Sequence, residues 1–154
     1  MTIITILQVL IGEQKACEPL HIQWNASNNN IKVINTTAKD LKGAIAKAAI
    51  YNLNGKEVPA YGQTKQVDVA ASNIAEAFSL NFNPFEIYGE KPKEIEELTP
   101  LHFIKLELID AKGNLISENF YWRNGVRDLD YTLLNTLPEV ALSCRLVDKS
   151  MSDG

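Results

Sequence analysis

Residues that favour turns recur about every ten to twenty positions along this chain, and between them apolar side chains mostly alternate with polar ones. A chain punctuated this often has little room for long helices and is held to antiparallel sheet, packed as a sandwich. The polar cluster from Asn25 to Asn30 supplies residues that tolerate the left-handed conformation of a turn. Asn54-Gly55 is the strongest short hairpin signal available to a sequence, and Asp110 to Gly113 repeats the arrangement with a longer loop.

The alternation predicts which side chains meet the core. Ile104, Leu106 and Leu108 share one face of a strand and Lys105 and Glu107 the other. In the return segment 115–123, Ile116, Phe120 and Trp122 share the apolar face, interrupted by Glu118, with Ser117, Asn119 and Arg123 opposite. Ile74, Phe78, Leu80 and Phe82 also share a parity. The expected core is Ile22, Trp24, Val33, Ile50, Phe78, Leu80, Ile104, Leu106, Leu108, Phe120 and Trp122.

One segment argues against strand throughout. Leu41 to Leu53 is rich in alanine and lysine, whose intrinsic preference is helical. Gly43 opens it and Asn54-Gly55 closes it, and its apolar residues fit a strand buried on both sides, so a strand is predicted. Glu86 to Pro100 reads as a polar surface connection, with one helical turn starting at Pro92.

Composition removes several classes of function. At 154 residues the chain is too short for an eight-fold β/α barrel, which needs about 250. With 15 Lys and Arg against 19 Asp and Glu it has no basic footprint for nucleic acid or an anionic membrane. Met1 to Ile11 is apolar but lacks a basic start and a small-residue cleavage site, and it falls short of the ~20 residues that span a bilayer, so it is read as a strand and not as a signal or anchor. Cys17 and Cys144 are too few and too far apart for a disulfide framework or a zinc site and read as unpaired packing residues.

The motifs of common catalysis are missing from the sequence. It holds no Gly-x-Ser-x-Gly and no phosphate-cradling glycine loop. His21 and His102 each follow a Pro-Leu pair at the start of a strand; a converging pair could bind metal, but the plainer reading is a strand histidine satisfied by backbone. Glu94, Glu96 and Glu97, and Asp128 and Asp130, are carboxylates of the kind glycoside hydrolysis uses in pairs, yet such runs usually form a solvated face. Asn25-Ala26-Ser27 and Asn35-Thr36-Thr37 are glycosylation sequons, meaningful only where the compartment permits it. Among the aromatics, Trp24 and Trp122 read as core, and Tyr121 with Arg123 reads as the surface pair able to meet a glycan or another domain.

The run Gln14-Lys-Ala-Cys17-Glu-Pro-Leu-His21-Ile-Gln-Trp24-Asn25 resembles the segment that opens an immunoglobulin-like domain in glycoside hydrolase family 2 enzymes of the exo-β-glucosaminidase and β-mannosidase type. Val33-Ile-Asn35-Thr, Ala49-Ile-Tyr51-Asn-Leu-Asn-Gly55-Lys, His102-Phe-Ile-Lys-Leu106 and Asn119-Phe-Tyr-Trp122-Arg123 are similar, in order, to its later strands. The resemblance implies an all-β, immunoglobulin-like sandwich over residues 14–124, preceded by an atypical N-terminal strand at 1–13 and followed by a tail, 125–154, that resembles the first strand of a further sandwich. It also implies a non-catalytic accessory module that braces a catalytic barrel carrying the two catalytic glutamates, with no cofactor or metal of its own. For the parent enzyme the resemblance implies a periplasmic or secreted location, while that of this chain, which shows no signal peptide, stays open. Met1 to Ile11 departs from the family's Tyr-rich lead-in, as it would if its codons were read out of frame. The alternatives are a carbohydrate-binding module acting through surface aromatics such as Tyr121, and a self-associating sandwich paired through its N-terminal strand.

Overall fold

The computed structural model describes residues 18–80, 98–124 and 131–139. Within them, seven strands form two antiparallel sheets: β1 (Leu20–Asn25), β2 (Asn30–Asn35) and β5 (Asn73–Ser79) in the order β1-β2-β5, and β3 (Leu41–Asn52), β4 (Gln63–Val69), β6 (Leu101–Ile109) and β7 (Leu115–Asn124) in the order β4-β3-β6-β7. Three strands facing four in this connectivity is an immunoglobulin-like sandwich. The core between the sheets is built from Ile22, Ile31 and Val33 on one side and Ala44, Ala46, Ala48, Ile50, Ile104, Leu106 and Leu108 on the other.

The alanine-rich segment is the central strand β3, paired with β4 on one edge and β6 on the other. Helical preference of alanine is a few tenths of a kcal/mol per residue. Two ladders of hydrogen bonds and burial of alternate residues outweigh it, and alanine is small enough to let the opposite sheet pack close. Near its start the register shifts between Leu41 and Ala44, where Gly43 takes a left-handed φ of 64° and its N–H donates to Asp68 Oδ1 at 2.7 Å.

The β6–β7 hairpin turns at Gly113, φ 89°, with Asp110 Oδ1 accepting from the N–H groups of Lys112 and Asn114. Asn54-Gly55 also turns the chain, but the return is a single bridge between Tyr51 and Glu57 followed by a 3-10 turn at Pro59–Tyr61 before β4 begins. Pro59 has no N–H to continue a ladder, so the hairpin expected there is interrupted.

Two parity expectations are corrected. Ile74 is 59% exposed, while Ala75 and Ala77 face the core. A bulge explains the change: Ile31 pairs with Phe78 and Lys32 with Glu76, leaving Ala77 unopposed. The face that points inward therefore switches along β5, and Phe78 and Leu80 rejoin the core after the bulge. In β7 the expected core residues Phe120 and Trp122 are 53% and 44% exposed. Their register partners on β6 are Lys105 and Phe103, whereas Ser117, Asn119, Tyr121 and Arg123 lie beside the inward Leu108, Leu106, Ile104 and His102.

In the tail, for which the resemblance over 125–154 implied the first strand of a further sandwich, Thr132–Thr136 is a 3-10 turn, closed by Leu134 N–H to Tyr131 O at 3.0 Å and Leu137 N–H to Leu134 O at 3.2 Å. No strand pairs with it among the described residues, and Pro138 lacks a donor to start a ladder. The expected strand at 1–13, both cysteines and most of the connection from Glu86 lie outside the described residues.

Candidate interaction face

The inward parity of β7 is polar because it meets the edge of β1 and not the middle of the core. Asn119 Nδ2 donates to Ile22 O at 2.8 Å, Trp24 N–H donates to Tyr121 Oη at 3.2 Å, and Ser117 Oγ donates to Glu18 Oε2 at 2.6 Å. Tyr121 also packs edge-on against Trp24 with ring centroids 5.5 Å apart, and the Arg123 guanidinium lies 4.4 Å from the centre of the Trp24 ring. These side chains satisfy backbone groups that an edge strand would otherwise present to solvent or to another chain. Burial here pushes the Tyr121 hydroxyl above its ordinary pKa, against the opposing effect of its bond from Trp24 N–H.

Tyr121 and Arg123, expected at the surface, are thus half-buried parts of a seam between the sheets. Tyr121→Phe removes the acceptor for Trp24 N–H and is expected to cost about 1 kcal/mol. Urea denaturation measures it, and an unchanged midpoint would show that the edge is satisfied in some other way.

The opposite parity of β7 builds the exposed face. Tyr51, Phe103 and Trp122 lie in one row across β3, β6 and β7, and Lys47, Glu107 and Glu118 lie in another. Between them sit Lys105 and Phe120, the latter stacked on Phe103 at 5.3 Å. The charges form a ladder: Lys47 Nζ to Glu107 Oε2 at 3.1 Å, Lys105 Nζ to Glu107 Oε1 at 2.8 Å and Lys105 Nζ to Glu118 Oε2 at 3.9 Å. The Lys105 ammonium, followed by Lys47, holds the Glu107 carboxyl below the usual range, and Glu107 raises Lys105 in return. Aromatic planes beside paired charges on an exposed sheet face suit stacking and docking.

His21 and His102 occupy different sheets, and each points Nδ1 at a backbone carbonyl: His21 at Glu18 O, 2.8 Å, and His102 at Pro100 O, 3.2 Å. Among the described residues no group of three or more histidines, cysteines or carboxylates is placed to hold a metal ion. The candidate carboxylates Glu94, Glu96, Glu97, Asp128 and Asp130 lie outside the described residues. Phe120 and Trp122 are the surface aromatics that sequence reasoning assigned to the core. The available signal was Glu118, which shares their parity and belongs on a wet face.

No family model matches the chain. Among curated proteins it is 32% identical over 111 residues to an exo-β-D-glucosaminidase of Amycolatopsis orientalis, covering 72% of this chain and 10% of the relative. It is 28% identical over 112 residues to a mannosylglycoprotein endo-β-mannosidase of Lilium longiflorum, covering 72% of this chain and 11% of that protein. Among solved structures, the exo-chitosanase CsxA of Amycolatopsis orientalis superposes with a TM-score of 0.61 at 32% identity, over 73% of this chain and 12% of that one. The chain spans about a tenth of the length of the curated relatives it matches.

Proposed function

We propose that this chain, which aligns to about a tenth of an exo-β-D-glucosaminidase and of an endo-β-mannosidase, is a non-catalytic immunoglobulin-like module that braces the catalytic barrel of a glycoside hydrolase family 2 β-glycosidase. The observation that carries this reading is the match itself: 111 residues, 72% of this chain, align to a tenth of a far longer relative. A module of this kind acts by rigidity. Its two sheets, locked along the β1–β7 seam, would hold a neighbouring domain and so shape the rim of that domain's substrate cleft.

The reading predicts that this chain alone turns over no aryl β-D-glucosaminide or β-D-mannoside. Turnover that disappears on substituting one carboxylate of the chain would overturn it. A second reading, a carbohydrate-binding module, draws support from the exposed rings of Phe120 and Trp122. Calorimetry against chitosan and mannan oligosaccharides separates the two, because a bracing module releases no heat on mixing.

A further inference from the structure

We propose that two copies of this chain pair face to face across the outer surface of the four-stranded sheet. An exposed Trp and Phe beside two more aromatic side chains is the kind of cluster that forms the centre of protein interfaces. What selects a second copy as the occupant is the order of residues across the sheet. Lys47 on β3 stands directly beside Glu107 on β6, and Tyr51 on β3 directly beside Phe103 on β6.

A two-fold axis running along the strands, midway between β3 and β6, exchanges those two strands between copies. It lays Lys47 over Glu107 of the partner copy and Tyr51 over Phe103 of the partner copy, each contact occurring twice, as an isologous interface requires. Phe120 and Trp122, outboard on β7, then cover the β3–β4 side of the other copy. Lys47 is 43% exposed at its side chain and Glu107 19%, so both are accessible from the face. The pairing is independent of the glycosidase reading, since it is read on this chain alone and by association instead of hydrolysis.

Sedimentation of the full chain in the tens of micromolar is expected to give a dimer. Trp122→Ser should weaken the association about tenfold or more. The diagnostic test is a charge swap. Lys47→Glu places glutamate against Glu107 of the partner copy, and Glu107→Lys places lysine against Lys47, so each variant alone should be monomeric. In a mixture the introduced glutamate of one variant faces the introduced lysine of the other, and the retained Glu107 of the first faces the retained Lys47 of the second. A heterodimer should then form. The variants lie on the surface, and their circular dichroism should match that of the parent chain. A monomeric parent chain, or a mixture of the two folded variants that stays monomeric, overturns the proposal.

Discussion

Asn35→Ala is expected to lower the stability of the domain by about 3 kcal/mol. Asn35 is 1% exposed and its amide clamps three stretches of chain at one end of the sandwich. Its Nδ2 donates to Lys39 O at 2.8 Å and to Ala70 O at 3.0 Å, reaching Val69 O at 3.4 Å. Its Oδ1 accepts from Thr37 N–H at 2.9 Å and Thr37 Oγ1 at 2.7 Å. The amide thus ties the end of β2 to the loop leading into β3 and to the residues that end β4. Alanine leaves these groups without their partner, at about 1–3 kcal/mol for each that stays buried, and the exposed loop residues recover some of that by meeting water. Urea denaturation gives the value, and a loss under about 1 kcal/mol would mean the loops relax without the clamp. Asn35→Asp keeps the acceptor and sets a carboxylate against backbone carbonyl oxygens, so its loss should be at least as large at neutral pH.

Acidification should destabilise the domain between pH 6.5 and about 4 through His102. The ring is wholly buried on the inner side of β6, and burial, with a smaller contribution from the Arg123 charge beside it, lowers its pKa from 6.5 to about 4; the backbone carbonyls of Pro100 and Thr99 pull the other way. In the unfolded chain the same imidazole protonates near 6.5. Below that pH the unfolded state takes up a proton that the folded state refuses, so stability is intact above 6.5, falls as pH drops towards 4, and levels off below. The full loss is about 3 kcal/mol. Glu107 and Asp110, whose carboxyls are held low by their partners, lose their own contribution only as pH falls further, through their folded values. The fall should therefore be resolved as the difference in pH dependence between the parent chain and His102→Gln, measured by denaturation from about pH 4 to 8. Parallel curves would show that His102 is not the group responsible.

Much of the fold could be read from residues alone. Ile104, Leu106 and Leu108 alternate with charged neighbours and are inward as expected, because β6 is paired on both sides and has one core face to bury. The strand at Leu41–Asn52 followed from its bounding glycines in spite of its alanines. The Asp110 to Gly113 turn followed from its glycine. The interaction face was misread because an edge strand obeys a different rule. On β7 the inward positions meet the unpaired edge of β1, where hydrogen-bonding side chains are worth more than apolar ones, and the rings are left outside. Asn35 likewise stood in the sequence as the first residue of a sequon, and its use as an internal clamp depends on chain ends brought together from β2 and β4.

The resemblance of its motifs pointed to a part of the family 2 enzymes, whereas periodicity and turn residues by themselves indicated an all-β sandwich. Local spacing is enough for that, since a period of two and a turn are properties of neighbours in the chain. Which face of β7 and of β5 looks inward was decided only by tertiary structure. A bulge at Ala77 reverses the side on which later residues emerge, and the approach of β1 to β7 turns a polar parity into a seam. Both depend on contacts between residues far apart in sequence: Trp24 and Tyr121 meet from opposite ends of the domain, and alternation within either strand carries no record of that partner.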